Sequence, residues 1–315
     1  MQNYNLNIQQ QVSKSTVVQV GYVGSAGRHL SLIRNINFAN PGAGTVQSRR
    51  PFNGQYPTLA AINELNSIGN SNYNSLQVSL RQTRWKNITL NANYTLGKAI
   101  DNGSNVRNAL PANSNDLGRE RGPSNFDIRQ IFTGFVSYDV PNFVQKFPRL
   151  GKGWQVNGLM TFHGGEPIDL RAGTNVSGSG EGSGLDRVDV IGDPFSGVAA
   201  RTAPGAAVPF FNPAAFARPA AGTFGNIGRN VLYGPGFGAL DFSVFKTTAI
   251  TERVSAQFRV EVFNITNRAN YANPGASLAA STTFGLITNT RNGGNAPGIG
   301  FGEPRNVQLA LRIMF

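Results

Sequence analysis

The sequence contains no cysteine and only two histidines, His29 and His163. It can therefore form no disulfide framework, thiol nucleophile or thiolate metal site. It also lacks the Gly-x-Ser-x-Gly and His-Glu-x-x-His motifs of hydrolases. A Gly-Ser-rich stretch at 177–183 lacks the Lys-Ser/Thr ending of a phosphate loop, and we expect a flexible loop tip there. These absences predict a protein that is not an enzyme and that holds no metal or other cofactor.

Charged residues are scarce, at 14% of the chain, with a deficit of acidic groups. The 28 Lys and Arg residues outnumber the 16 Asp and Glu residues, but they are scattered, so nucleic acid is not an expected partner. No apolar run approaches the roughly 18 residues of a membrane-spanning helix. The first residues are polar and uncharged, so no secretory signal is expected.

What the sequence does contain is a strong period of two. Apolar and polar residues alternate in nine segments of about 9–12 residues, longer than the usual strand of five or six. The polar positions are mostly Asn, Gln, Ser and Thr, whereas a soluble sandwich usually exposes Lys, Glu and Asp. Long strands with one apolar and one polar face are typical of an all-β, antiparallel transmembrane barrel. The segments are 3–11, 16–24, 75–82, 87–96, 126–138, 154–164, 239–249, 253–263 and 304–315.

Short and long connections alternate between these segments. The long ones are about 25–71, 98–124, 166–238 and 268–303, and within the first of them 58–69 is expected to form a short helix. Short periplasmic turns and long extracellular loops are the rule in transmembrane barrels. We therefore expect the ninth strand to end at the periplasmic rim and the long loops to recognise a ligand.

The ninth segment ends the sequence on its apolar face. Its alternate positions are Val307, Leu309, Leu311, Ile313 and Phe315. We expect this strand to close a barrel, with its apolar face in outer-membrane lipid. A terminal aromatic residue also resembles the sorting signal of bacterial outer-membrane proteins, which implies the barrel-assembly machinery as a partner.

Eight stretches in collinear order resemble the C-terminal barrel half of TonB-dependent receptors of the Oar-like type, abundant in acidobacterial genomes. Among them are LNANYTLGKAID (90–101), ERGPSNFDIRQIFTGFVSYDVP (120–141) and FRVEVFNITNRANYANP (258–274). The resemblance implies a 22-stranded barrel that is plugged by an N-terminal domain and energised by TonB. It also implies uptake of a bulky nutrient, with a siderophore or carbohydrate as the class of small-molecule ligand.

The chain departs from this pattern in its strand count. Nine strands are fewer than the resemblance implies, and bacterial single-chain barrels have an even number. We therefore expect a single β-barrel region over 1–315, the C-terminal part of a larger barrel, whose partners are the missing N-terminal strands and plug. Asp127 and Arg129 on the fifth strand, and Arg259 and Glu261 on the eighth, are expected to face the lumen and to pair or dock the plug.

Other interpretations stay open at this point. The chain could be an independent outer-membrane pore or adhesin that assembles as an oligomer or with a separate N-terminal piece. It could also be a soluble β-rich binding module. Asp186, Asp189 and Asp193, in the third long connection, could bind calcium or cap turns.

Overall fold

Nine long strands form one antiparallel sheet in the computed structural model of the protein, which describes residues 1–104, 110–181, 185–200, 203, 205–291 and 304–315. They follow one another across the sheet in sequence order, each hydrogen-bonded to the next. This meander confirms the predicted all-β fold. In chain order, strands β1 to β9 are Gln2–Ser13, Thr16–Asn35, Asn63–Trp85, Ile88–Asp101, Gln130–Val140, Trp154–His163, Phe237–Ala249, Ser255–Phe263 and Asn306–Met314.

The register places apolar residues of neighbouring strands side by side on one face of the sheet. Because side chains alternate along a strand, an apolar residue beside an apolar residue in each successive pairing produces an uninterrupted apolar surface. One such row across the sheet is Ile8, Val20, Val78, Tyr94, Phe132 and Phe162. A second is Ile88, Tyr138, Val156, Val244, Val260 and Leu309.

The opposite face of the sheet is mainly polar and uncharged. A row across it is Gln9, Gln19, Ser79, Asn93, Thr133 and Thr161. In the described part of the chain the two edge strands, β1 and β9, are not bonded to each other, so the sheet is not closed into a barrel. Among the described residues, no helix has the length and apolar character needed to cross a membrane.

The connections alternate in length as predicted. The turn between β3 and β4 has just two residues, Lys86 and Asn87, whose φ angles are 48° and 67°. Two positive φ angles in succession give a turn whose twist matches that of the flanking strands. The connection from β5 to β6 carries the helical turn Pro148–Gly151. These short connections all lie at one rim, and the four long ones lie at the other.

The helix expected at 58–69 is wrong. Residues 63–69 belong to β3, which pairs with β2 from Gln82 opposite Thr16 up to Asn63 opposite Asn35. Local helix preference in this segment is weak, and the long antiparallel ladder outweighs it.

The hydrophobic core lies in the long connections rather than against the sheet. It comprises Ile168, Leu170, Ala172, Val188, Phe211, Ala215, Phe216, Ile227 and Phe284. Short elements surround it: the 3-10 turns Gln47–Arg49, Leu117–Glu120 and Pro213–Ala215, and the two-residue strands Gly122–Pro123, Pro167–Ile168, Asp189–Val190, Val208–Pro209, Phe216–Ala217, Leu232–Tyr233 and Leu286–Ile287.

Candidate functional site at the long-loop rim

The described parts of the four long connections pack together, and we call this assembly the loop cap. The third connection, 164–236, hydrogen-bonds to each of the other three: Gly42 N–H to the Ser177 carbonyl, Arg119 to the Gly225 carbonyl, and Arg171 N–H to the Ala276 carbonyl. At its centre the rings of Phe211, Phe216 and Phe284 meet edge to face, with centroids 5.2–5.6 Å apart. Such a packed cap holds its surface groups in fixed positions.

A buried ion-pair network joins the second and third connections. Arg187 contacts both oxygens of Glu120, at 2.5 and 3.2 Å, and its Nε donates to Asp169 Oδ1 at 3.0 Å. The side chains of Arg187 and Glu120 are each only 5% exposed. Burial acts to lower the pKa of Arg187, but the carboxylates of Asp169 and Glu120 outweigh it, so the net shift of this pKa is upward. The guanidinium therefore stays charged and holds the two connections together.

Arg229 links the cap to the sheet through an ion pair and hydrogen bonds. Its guanidinium pairs with the carboxylate of Asp101, the last residue of β4, and donates to the carbonyls of Asp101 and Pro123. A side chain at Gly122 would meet the Arg229 carbonyl oxygen at 2.3 Å, so this approach requires glycine. The glycine-rich stretch 222–237 thus anchors the cap to the sheet through buried residues.

The structure changes the interpretation of Asp127. The fifth strand begins at Gln130, so the prediction that Asp127 and Arg129 lie within its polar face is wrong. Asp127 N–H instead bonds to the Ser124 carbonyl in a turn, and its buried carboxylate accepts from Ala99 N–H and Tyr233 O–H, both at 2.6 Å. Burial, followed by this hydrogen bond, raises the pKa of Tyr233, so the phenol remains a donor.

The Gly-Ser-rich stretch is not the exposed tip that we predicted, as far as it is described. Ser177, Ser179 and Glu181 are all buried; residues 182–184 lie outside the described part. Asp186 accepts from the backbone N–H and the hydroxyl of Ser177, which draws the stretch inward. The carboxylate of Asp193 accepts from Phe195 N–H, as expected of a turn cap.

Glu181 is bonded through one of its two carboxylate oxygens. Its Oε1 accepts from Asn35 Nδ2 at 2.5 Å, whereas Oε2 is buried and has no hydrogen-bond partner among the described residues. Burial raises the pKa of Glu181, although Asn35 and Arg50 partly offset this. The carboxyl group of Glu181 is therefore protonated at a higher pH in the folded protein than in the unfolded chain. The stability that this protonation contributes is full below the ordinary Glu pKa, near 4.3, and is lost as the pH rises.

We expect Glu181→Gln to stabilise the cap at pH 7 and to flatten this part of its pH dependence. The amide keeps an acceptor for Asn35 and carries no charge to desolvate. Protease resistance of the cap, measured at a series of pH values above 4, checks this. Glu64→Gln, at a carboxylate that is 44% exposed, is the matched control and should change the profile little. A Glu181→Gln profile as steep as that of the unmodified protein would contradict the assignment.

A polar cavity of about 210 Å³ opens between the cap and the upper ends of the strands. The oppositely charged side chains of Arg171 and Asp169 line it, together with Glu120 and Arg229. Amide and hydroxyl groups from Asn102, Ser104, Asn125 and Asn230 also line it, beside apolar residues that include Leu32 and Leu110. The cavity can therefore both donate and accept hydrogen bonds, which suits a polar part of a ligand.

The polar face of the sheet carries the other predicted charges. Arg259 and Glu261 both lie on this face of β8, as expected. Arg259 donates to Gln257 and lies over the ring of Phe245, 4.7 Å from its centroid. Among the described residues, Arg259, Glu261, Asp127 and Arg129 form no ion pair with one another. Whether they dock a plug stays a prediction.

A groove of about 500 Å³ runs along the same face between β5 and β8. Phe135, Leu159 and Phe245 form its apolar floor, and the carboxylates of Asp241 and Glu261 flank it. The apolar face of the sheet includes Val307, Leu309, Leu311 and Ile313 of β9, which are largely exposed, and Phe315 beyond them is 96% exposed. The sorting role of this strand stays a prediction.

The sequence missed the residues that shape the cap. Arg187, Glu120, Arg229, Asp101 and Tyr233 lie far apart in the chain and carry no motif. The available signal was indirect: charged residues are scarce here, and those inside long Gly-rich connections have to be paired if they are buried.

Residues 1–308 match a protein family that is described as an outer membrane beta barrel domain. A search of the curated proteins found no match to this sequence.

Among solved structures, the outer membrane transporter YddB from Escherichia coli is similar in fold, with a TM-score of 0.50 and 10% identity. The match covers 99% of this chain and 32% of that transporter, so the chain spans about a third of the transporter's length. The pyoverdine outer membrane receptor FpvA from Pseudomonas aeruginosa matches with a TM-score of 0.45 and 13% identity, covering 99% of this chain and 29% of that receptor.

Proposed function

The chain belongs to the outer membrane beta barrel domain family and lies in the bacterial outer membrane, and from this premise we propose that it forms part of the wall of a TonB-dependent receptor. Its apolar face meets lipid, its polar face lines the passage, and its loop cap binds a bulky nutrient outside the cell. The observation that carries this proposal is the cap itself. The third and fourth connections share one packed core, and the second and third connections enclose a polar cavity, although these segments needed only to join strands.

The remainder of the receptor, in this proposal, completes the barrel and supplies the plug. The open sheet and the 32% coverage of the solved transporter support a larger barrel. We assign the plug contacts to Arg129, Arg259 and Glu261, because the carboxylate of Asp127 is already held by Ala99 and Tyr233. The apolar groove between β5 and β8 gives the plug, or the passing nutrient, a second surface. The Oar-like subtype also belongs to this proposal.

The nutrient is proposed to be a small molecule with several polar groups, such as a siderophore or a carbohydrate. The cavity beneath the cap presents Arg171 and Asp169 beside four amide and hydroxyl side chains. Groups of this kind fix the orientation of a ligand within a binding cleft. Charges of both signs favour neutral or zwitterionic groups over a strongly charged one.

Binding measurements on the receptor can test this proposal. We expect calorimetric titration with a panel of ferric siderophores and oligosaccharides to find at least one saturable ligand. Arg171→Gln should weaken that ligand at least tenfold, because it removes a lining charge. Arg218→Gln, at an exposed cap residue outside the cavity, should leave the affinity unchanged.

Bilayer conductance separates this function from the alternative of an independent pore. A plugged receptor should show little steady conductance, whereas an open oligomeric pore should conduct continuously. Steady conductance together with no saturable ligand would overturn the receptor proposal in favour of the pore.

A further inference from the structure

The rim that carries the short connections is strongly basic. We define the short-turn rim as residues 13–16, 84–88, 140–154 and 249–255. It contains one carboxylate, Glu252, and seven basic residues, which are Lys14, Arg84, Lys86, Lys146, Arg149, Lys152 and Arg253. All seven are exposed. The six ion pairs found among the described residues all lie at the opposite rim.

Both tryptophans of the chain lie at this same rim. Lys86 is over the ring of Trp85 at 5.0 Å, and Lys246 is over the ring of Trp154 at 5.6 Å. Trp154 Nε1 donates to the Leu150 carbonyl, so the polar edge of its ring is satisfied. Tryptophan and basic side chains together are typical of the boundary between lipid and water.

A groove of about 520 Å³ lies between the helical turn at 148–151 and the β7–β8 turn. Arg149 and Lys152 line one side of it, while Ala249 and Ile250 supply apolar surface. Lys246, on the apolar face of β7, donates to the carbonyls of Arg149 and Lys152 and so fixes their backbone. Leu150 and Ile250 are largely exposed beside the groove.

Basic groups beside apolar surface match the chemistry of a lipid that carries a phosphate ester and hydrocarbon chains. We propose that the short-turn rim binds an anionic phospholipid of the leaflet it faces, with the head-group phosphate held by Arg149 and Lys152. The acyl chains then continue along the apolar face, past Ile250. Short turns are periplasmic in such barrels, so this is the periplasmic leaflet. Attraction of a basic residue near an anionic surface changes affinity about fivefold for each charge.

Two neighbouring carboxylates do not cancel this attraction. Glu252 also lines the groove, together with Arg149 and Lys152. Asp139, one residue inside β5, is on the polar face and accepts from Gln155 Nε2 at 2.9 Å. The rim therefore keeps a large net positive charge. The site rests on family membership and the geometry of the rim, so it stands or falls independently of the receptor proposal.

The position of the tryptophans supplies the experiment. The full chain is refolded into phosphatidylcholine vesicles, and its fluorescence is quenched with phosphatidylglycerol or phosphatidylcholine brominated on the acyl chains. We expect phosphatidylglycerol to be preferred at least fivefold. The preference should shrink at high salt, since exposed charges are screened. It should persist in excess inorganic phosphate, because the proposed ligand is the lipid rather than the free ion.

Two double variants that each remove two positive charges decide where the lipid binds. R149S/K152S should lose most of the preference, while R149K/K152R should keep it. R28S/R121S removes two exposed charges away from the short-turn rim and should have no effect. Equal quenching by the two lipids, or an equal loss in R28S/R121S, would overturn the site. Circular dichroism confirms that each variant is folded, and a folded R149S/K152S that retains the preference would also refute the assignment.

Discussion

Replacing Arg187 with methionine is expected to lower the free energy of unfolding of the loop cap by about 3–5 kcal/mol. The guanidinium is buried between Glu120 and Asp169, and its removal leaves the buried carboxylate of Glu120 without a counter-ion among the described residues, while Asp169 keeps Arg171. The desolvation of an unpaired buried charge is what makes this change severe. Denaturant titration of the refolded protein, followed by protease resistance of the cap, measures the effect.

The ion pair between Arg34 and Glu64 offers a matched control. Its atoms are 3.6 Å apart and its side chains are 40% and 44% exposed. An exposed pair contributes about 0–1 kcal/mol, so Arg34→Met should have a small effect. Equal effects of Arg34→Met and Arg187→Met would contradict the buried network. The double change Arg187→Met, Glu120→Gln should recover much of the loss, because it removes the unpaired charge and leaves the ion pair of Asp169 with Arg171 intact.

Introducing arginine at Val20 is expected to cost about 2–4 kcal/mol of folding stability in a bilayer. Val20 lies between Ile8 and Val78 in an apolar row that crosses six strands. A guanidinium there would enter the hydrocarbon region. The free energy of unfolding from lipid vesicles, obtained by urea titration of tryptophan fluorescence, measures the effect.

The neighbouring residue provides the control for this change. Gln19 points to the opposite, polar face, between Gln9 and Ser79. Gln19→Arg should leave the free energy of unfolding nearly unchanged, because its charge remains in water. If the two arginines were equally harmful, the assignment of the apolar face to lipid would be wrong.

The sequence predicted the wall of this protein well and the cap poorly, for a physical reason. Each strand of a one-layer sheet has an apolar environment on one face and a polar environment on the other. Its residues therefore alternate between apolar and polar, as from Ile88 to Leu96 of β4. The gap between the periodic segments 75–82 and 87–96 also indicated a short turn, which the structure places at Lys86 and Asn87. Neither inference required knowledge of distant contacts.

The cap depends instead on pairs that are distant in sequence. Arg187 and Glu120 are 67 residues apart, and Arg229 and Asp101 are 128 apart. No local period or motif reports such pairing. Asp127 shows the same limit, since the two hydrogen bonds of its carboxylate come from Ala99 and Tyr233 rather than from the fifth strand. Even the long β2–β3 ladder was hidden, because its upper half loses the alternation that marks the lower half.

The length of that ladder sets how far the protein reaches from the cell. Strands β2 and β3 have 20 and 23 residues, whereas crossing the bilayer takes about 9–11. At roughly 3.3 Å per residue, the surplus lifts the end of this hairpin on the order of 30 Å above the hydrocarbon. Asn35 and Asn37 are buried at the tip of this hairpin, and their hydrogen bonds hold the cap there. In the proposed receptor, the cap would therefore meet the outside solution well above the membrane surface, where it could bind a molecule too large to approach that surface.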